Sequence, residues 1–299
     1  MLLSTVWVTA SEHSNQSHQF ASELKANMST PPLANSSDHS TAAYWENRLR
    51  AVNGLEGVGS IAYGREFNEW MYRVRRHVFL KQIDHLNVPY SEVRVLDVGS
   101  GTGFWLDVWR SLGVGNLTGS DLTTIAVERL RAHFPSYPIL KLDIAASDTP
   151  DLASGAFDVI SAFDVLFHIV SDEAFASALA NVNAMLKPGG LFLFSENLPR
   201  EELARASTQV NRTIQNVTGG LSRTGFRILR RIPMFVLMNA PVDSWWKHAL
   251  LVWKLFMKPV AMYPRLGSLY GAVLYPLEVF LVDRIAEGPS TELVICQKV

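Results

Sequence analysis

Short apolar runs alternate with stretches of helical period along the middle of the chain. The runs at 94–98, 117–121, 139–142, 157–162 and 191–195 have the length of strands, and each is followed by a helical or turn pattern. The clearest helix is predicted over 172–186, where Phe175, Leu179, Val182 and Leu186 make one apolar stripe and Lys187-Pro188-Gly189-Gly190 stops it. Further on, the pattern predicts a helix over 201–223, a strand over 226–236 and a last strand over 292–297. Alternation of this kind implies an α/β fold, doubly wound, with parallel strands, right-handed crossovers and helices on both faces of the sheet.

The flanks read differently. Residues 1–10 are apolar but lack a preceding basic residue and are too short to span a bilayer, so they are not read as a signal peptide. From 11 to 43 the chain is rich in Ser, Asn, Thr, His and Pro without apolar period, which predicts a disordered tail over 1–43; Met28 inside it is an alternative start. A helical cap is expected over 44–90. It begins at Tyr44-Trp45-Glu46-Asn47-Arg48-Leu49, breaks at the Gly-rich stretch 54–64 and resumes as a helix over 66–85. There Phe67, Trp70, Met71, Val74, Val78 and Leu80 fall near helical spacing, and Arg73, Arg75, Arg76 and Lys81 take much of the rest.

The main domain is assigned to 91–237 plus 290–299, with an apolar helical insertion over 238–289 that a minimal doubly wound domain does not need. Its three tryptophans, Trp245, Trp246 and Trp253, predict an ordered, buried segment. Over 244–258, Lys247, Lys254 and Lys258 share a face with Leu251, opposite a wide apolar face. Such a helix either roofs an apolar pocket or lies in a lipid interface, as a peripheral membrane contact. The following stretch, 266–277, is free of charge but short and interrupted by Pro276, and the last strand must return to the sheet; neither fits a membrane span.

Composition narrows the function classes. With 48% apolar residues in 299, the chain can bury a sizeable core. Against 28 acidic residues stand 27 basic ones, which leaves no electrostatic footprint for nucleic acid. Cys296 is the sole cysteine, so neither an intramolecular disulfide nor a thiolate metal cluster can form; no metal is expected, and a cytoplasmic location is.

Candidate chemistry concentrates at Val95-Leu96-Asp97-Val98-Gly99-Ser100-Gly101-Thr102-Gly103-Phe104-Trp105, a strand entering a glycine-rich turn and then a helix. A dinucleotide fingerprint requires G-x-G-x-x-G, but position 104 is Phe and the third glycine comes one residue early; a P-loop is excluded because no Gly-Lys-Ser/Thr follows. The stretch resembles the first motif of the Rossmann-like S-adenosylmethionine-dependent methyltransferases, an acid followed by x-G-x-G-x-G. The resemblance continues through Gly119-Ser120-Asp121, Leu142-Asp143-Ile144, the run from Phe157 to Asp164 and Leu186-Lys187-Pro188-Gly189-Gly190-Leu191, and so covers about 94–196.

That resemblance implies a seven-stranded, mostly parallel sheet with an antiparallel last strand. It also implies S-adenosyl-L-methionine held by Asp97, Gly99, Gly101, Gly103, Asp121, Asp143, Ile144 and Phe163, with Asp121 at the ribose hydroxyls and Asp143 near the adenine. His168, after the fourth strand, stands where the acceptor should lie and is a candidate base for a hydroxyl acceptor; Glu196, ending the fifth strand, is the next candidate. The expected activity is methyl transfer to a small apolar or amphipathic acceptor, favouring oxygen, with cap and insertion enclosing the site. Methylation of a membrane lipid or quinone at the bilayer surface is the alternative enzyme reading. A non-catalytic S-adenosylmethionine-binding regulator is the alternative from another class.

Overall fold

A computed structural model describes residues 41–84, 90–147 and 154–299. Most of the expected tail, with Met28, lies outside the described residues, but 41–43 do not belong to a tail: they open helix α1, Thr41–Ala51. The Gly-rich break holds a short helix α2, Leu55–Val58, and a 3-10 turn, Ile61–Tyr63; helix α3 then runs Gly64–Ile83.

The sheet contains β1 Arg94–Val98, β2 Asn116–Asp121, β3 Ile139–Lys141, β4 Phe157–Ala162, β5 Leu186–Asn197, β6 Phe226–Pro233 and β7 Thr291–Lys298, in the order β3-β2-β1-β4-β5-β7-β6. The first five strands are parallel, and β7 runs antiparallel between β5 and β6. Helices α4 Phe104–Ser111, α5 Thr124–His133, α6 Asp172–Met185 and α7 Ile214–Arg223 connect them. Burial follows from this layering: Leu96, Val98, Ile160, Phe192 and Phe194 enter one apolar cluster, and Val95, Leu117, Val159 and Leu193 enter another.

Two boundaries depart from expectation. Lys187-Pro188-Gly189-Gly190 is not a turn between helix and strand. Helix α6 ends at Met185, and Leu186 already pairs with Phe157, so the stretch is a bulged part of β5. The helix expected over 201–223 begins only at Ile214. Residues 200–207 are exposed and carry no apolar stripe to dock. Instead the segment runs along the turn after β4, where Arg205 and Arg212 both reach Asp172 and the Val210 N–H donates to the Phe167 carbonyl at 2.8 Å.

The insertion forms two helices, α8 Ala249–Met262 and α9 Gly267–Val282, the latter continuing through Pro276. Helix α9 lies on α3: Gly271 sits against Trp70, Gly267 against Phe67, and buried Glu278 accepts the Val236 and Leu237 N–H groups at 2.7 and 2.8 Å. Trp253 of α8 packs edge-on to Tyr63 and donates to the Leu237 carbonyl at 2.7 Å. The expectation of buried tryptophans fails elsewhere. Helix α8 starts after Trp245 and Trp246, which are 94% and 44% exposed.

Candidate active site

The glycine loop leaves β1 and enters α4 at the carboxyl edge of the sheet, where crevices of open α/β sheets lie. Hydrogen bonds lock it from below. The Ser100 N–H donates to the Ser120 carbonyl at 2.7 Å, and the hydroxyls of Ser100 and Ser120 both donate to the Asp97 carbonyl, at 3.0 and 3.1 Å. Gly101 holds φ of +54°, and a Cβ there would come within 2.8 Å of Val58, so α2 closes tightly over a loop that only glycine allows.

A cleft opens above this loop, with about 900 Å³ of empty space when the solvent at its mouth is counted. Of the predicted cofactor residues, Gly99, Gly101, Asp121, Asp143, Ile144 and Phe163 line it, and so does His168. Asp97, Gly103 and Glu196 are not among its lining residues. Asp97 is buried beneath the loop, accepting the Ser161 hydroxyl at 2.6 Å while Trp109 donates to the same hydroxyl at 3.1 Å; burial pushes its carboxyl up to about 7 although Ser161 and Ser100 oppose the shift. Gly103 has φ of +86°, and a Cβ there would come within 2.5 Å of Phe134, so its role is to let α4 begin against α5. Glu196 fails as a cleft residue because β5 runs on to Asn197 and pairs with β7 through Glu196 and Glu292, which places it inside the sheet, fully buried.

Asp121 ends β2 with one carboxylate oxygen accepting the Gly101 N–H at 2.9 Å and the other accepting the N–H and hydroxyl of Thr123 at 2.9 and 2.7 Å. Burial raises its pKa, and the bonds from Thr123 and Gly101 oppose that shift. A carboxylate has about four acceptor sites, and with three taken it can still accept a hydroxyl donor from the cleft.

Several lining residues lie outside the motif reading. Trp45 and Leu49 of α1, Val58 of α2 and Tyr72 of α3 make the cap side of the cleft, whereas no residue of the 238–289 insertion lines it. The cap therefore encloses the site and the insertion does not. Arg75, expected on the outer face of α3, is buried and ion-paired with Asp164, which follows β4 at φ of +58° and accepts the Ser195 hydroxyl at 2.8 Å. A non-glycine residue in the left-handed region costs roughly 1 kcal/mol or more, and the Arg75 and Ser195 contacts hold it there. Tyr72, under the Arg75 guanidinium, has no hydrogen-bond partner for its hydroxyl among the described residues, and burial raises its pKa.

His168 is fixed by two contacts. Its Nδ1 lies 2.7 Å from the Thr208 carbonyl, and its ring meets Trp45 edge-on at 4.8 Å. A carbonyl only accepts, so Nδ1 carries the proton and Nε2 keeps a lone pair with no partner among the described residues. Desolvation lowers the imidazole pKa to about 4, so the ring is neutral near pH 7.

The chain matches the family model described as "Methyltransferase domain" over residues 67–231, more than half its length. It belongs to the class I S-adenosylmethionine-dependent methyltransferases. Among curated relatives, it is 25% identical to a ubiquinone biosynthesis O-methyltransferase of Brucella anthropi over 52% of this chain and 68% of the relative. It is also 29% identical to a tRNA U34 carboxymethyltransferase of Methylococcus capsulatus, over 51% of this chain but only 50% of that relative. A solved magnesium protoporphyrin IX methyltransferase from Synechocystis, with bound cofactor, shares the fold at a TM-score of 0.53 and 11% identity, covering 89% of this chain and 100% of that one.

For this methyltransferase, S-adenosylmethionine supplies, when bound, a methyl group activated on a sulfonium. The residues present fit it: a carboxylate at the end of β2 for ribose hydroxyls, a glycine loop that brings backbone close, and apolar walls from Leu142, Ile144 and Phe163. Stacking of Phe163 on Trp105 at 3.8 Å fixes one of those walls.

Proposed function

We propose that the enzyme methylates an oxygen of a small amphipathic acceptor, with His168 as the base that removes the hydroxyl proton. The observation carrying this reading is the Thr208 contact, which fixes the imidazole tautomer so that Nε2 is a neutral acceptor, unengaged among the described residues, on a residue lining the cleft. Apolar and aromatic side chains from α1, α2 and α3 supply a wall suited to an acceptor with an apolar body. Similarity to ubiquinone biosynthesis O-methyltransferases supports oxygen as the methylated atom. The near-neutral net charge speaks against a nucleic-acid acceptor.

The chain's own residues do three things in this scheme. Trp45, Leu49 and Val58 exclude water, which strengthens polar interactions inside the cleft. Asp121 and the glycine loop hold the donor's nucleoside and backbone-facing parts. His168 takes the proton at Nε2, and the charge of Asp164 favours the imidazolium that forms.

Incubation with methyl-labelled S-adenosylmethionine and a fractionated cell extract tests the reading. The expected product carries the label in the organic-soluble fraction on a former hydroxyl oxygen. Label confined to RNA or protein overturns it. A second reading, in which the acceptor is a lipid or quinone met at the bilayer surface, is favoured by the apolar insertion, which touches the cap next to the cleft wall through Tyr63 and Trp253.

A further inference from the structure

The outward face of α9 is the reverse of what water selects. Its inner positions Gly267, Gly271, Leu274, Glu278 and Val282 are buried, while Leu269, Val273, Leu277 and Phe280 are exposed at 60, 66, 48 and 50%. That outward stripe contains no charge. Neighbouring α8 adds Leu250, Leu251, Leu255 and Phe256, and Phe256 meets Tyr270 across the hairpin at 5.4 Å, which makes the two helices one surface. Of the 17 exposed large apolar side chains among the described residues, 13 fall between Trp245 and Phe280, a concentration that marks an interaction site.

Charge identifies the partner. Between Ser244 and Val282 the only acid is Glu278, which is buried, whereas Lys247, Lys254, Lys258 and Arg265 carry cations with no ion pair among the described residues. The flanking acids are already engaged, Asp243 and Glu287 with Arg200, and Asp283 with Lys81. An apolar face bordered by unopposed cations and two exposed tryptophans matches an anionic lipid surface, into which tryptophan rings settle at headgroup depth.

We propose that the α8–α9 hairpin seats the enzyme on an anionic bilayer, lying in the interface and not crossing it. Pro264–Val282 is long and apolar enough to cross by length and composition. However, α9 is bound along its inner face to α3, Glu278 accepts two backbone N–H groups of the body, and β7 returns to the sheet between β5 and β6. The consequence for function rests on the amphipathic-acceptor reading. Tyr63 packs on Trp253 only five residues after Val58 enters the cleft wall, so the docked hairpin places the cap side of the cleft beside the lipid.

Co-sedimentation of the full chain with phosphatidylcholine vesicles, with and without one third phosphatidylglycerol, tests the proposal. Binding to the anionic vesicles is expected to exceed binding to neutral ones by at least about tenfold at low salt. The triple change Leu269→Glu, Val273→Glu and Leu277→Glu, at positions already in water, is expected to abolish binding while calorimetry with S-adenosylmethionine stays unchanged. Lys254→Glu with Lys258→Glu is expected to remove the anionic preference and leave weak binding. No binding to either vesicle overturns the proposal, as does binding that the triple variant retains. So does a dimer in sedimentation that the triple variant breaks without any vesicle binding, which assigns the face to a second copy of the chain. Methyl transfer to a water-soluble phenol without vesicles reports separately on the acceptor reading, because it does not require docking.

Discussion

The Glu46 carboxylate accepts the backbone N–H of Thr124 at 2.7 Å, and that of Ile125 at 3.3 Å, although 78 residues separate Glu46 from Thr124. These are free N–H groups of the first turn of α5, immediately after Asp121, so an acid from the cap neutralises the positive end of a helix at the cofactor site. The same cap helix is tied a second time, where Arg129 donates to the Leu49 carbonyl at 2.6 Å. Cap closure and the loop after β2 are thereby one unit.

Glu46→Ala should therefore loosen α1 without unfolding the domain. The expected cost is about 0.5–2 kcal/mol, the scale of a lost helix cap, read as faster amide exchange at Thr124 and Ile125 and a several-fold weaker affinity for S-adenosylmethionine. Unchanged exchange at both amides counts against the clamp.

His168 predicts a pH profile as well as a mutant effect. Its pKa is held at about 4, below the ordinary 6.5, so the neutral base is present across the physiological range and activity should not fall between pH 8 and 6 on its account. His168→Ala should lower turnover by roughly 10²–10⁴ with donor affinity kept. For stability the sign is opposite to that of a salt-bridged histidine: the unfolded chain takes up the proton first, so this contribution is lost as pH falls from 6.5 towards 4. An acid limb of activity near pH 6.5 argues against the enclosed ring.

Much of the frame was legible because it rests on local pattern. Strand-length apolar runs at 94–98 and 157–162 form β1 and β4, and Gly99 and Gly101 stand at the cleft because loop and helix are contiguous in sequence. What local pattern cannot carry is pairing at a distance. Arg75 reads as an outward charge on α3 until Asp164, 89 residues later, is placed against it. Glu196 reads as the end of a strand until β7 pairs beside it. Tyr72 falls off the simple apolar stripe, yet its face of α3 turns towards Phe104 at 4.7 Å and the cleft. The tryptophans of the insertion mislead for a different reason: aromatic content does not say which rings a helix will cover, and Trp245 and Trp246 precede α8.

Asp121 offers a direct test of the cofactor assignment. Asp121→Ala removes acceptors for the Gly101 and Thr123 N–H groups as well as for the ribose, so it should weaken S-adenosylmethionine binding by about 1–3 kcal/mol. Asp121→Asn keeps one acceptor oxygen and should fall between the variant and the parent in calorimetry. Equal affinity in all three would displace the ribose from the end of β2.

The buried carboxyl of Glu196 leads to a prediction about stability alone. One of its oxygens accepts the Asn197 N–H at 3.0 Å, the other has no partner, and burial pushes its pKa up to about 8 from an ordinary 4.5. Between those two pH values the folded protein holds a proton that the unfolded chain does not, so the stabilisation is complete below pH 4.5 and is lost as pH rises through 8. At 1.36 kcal/mol per pH unit, the whole shift is an upper bound of about 5 kcal/mol, and relaxation around the charge reduces it. Glu196→Gln keeps the acceptor for Asn197 and cannot ionise. It should melt higher than the parent at pH 9, by about 2–4 °C for each kcal/mol gained, and no higher at pH 4.5. Arg212 makes the alternative concrete, since its charge favours an ionised Glu196; but that guanidinium is already held by Asp172 at 2.9 Å and by the carbonyls of Ile169 and Ser171 at 2.8 and 3.0 Å. A glutamine variant that melts lower at pH 9 would mean that Arg212 does hold Glu196 ionised, and that the carboxylate is part of the polar network beneath the turn after β4.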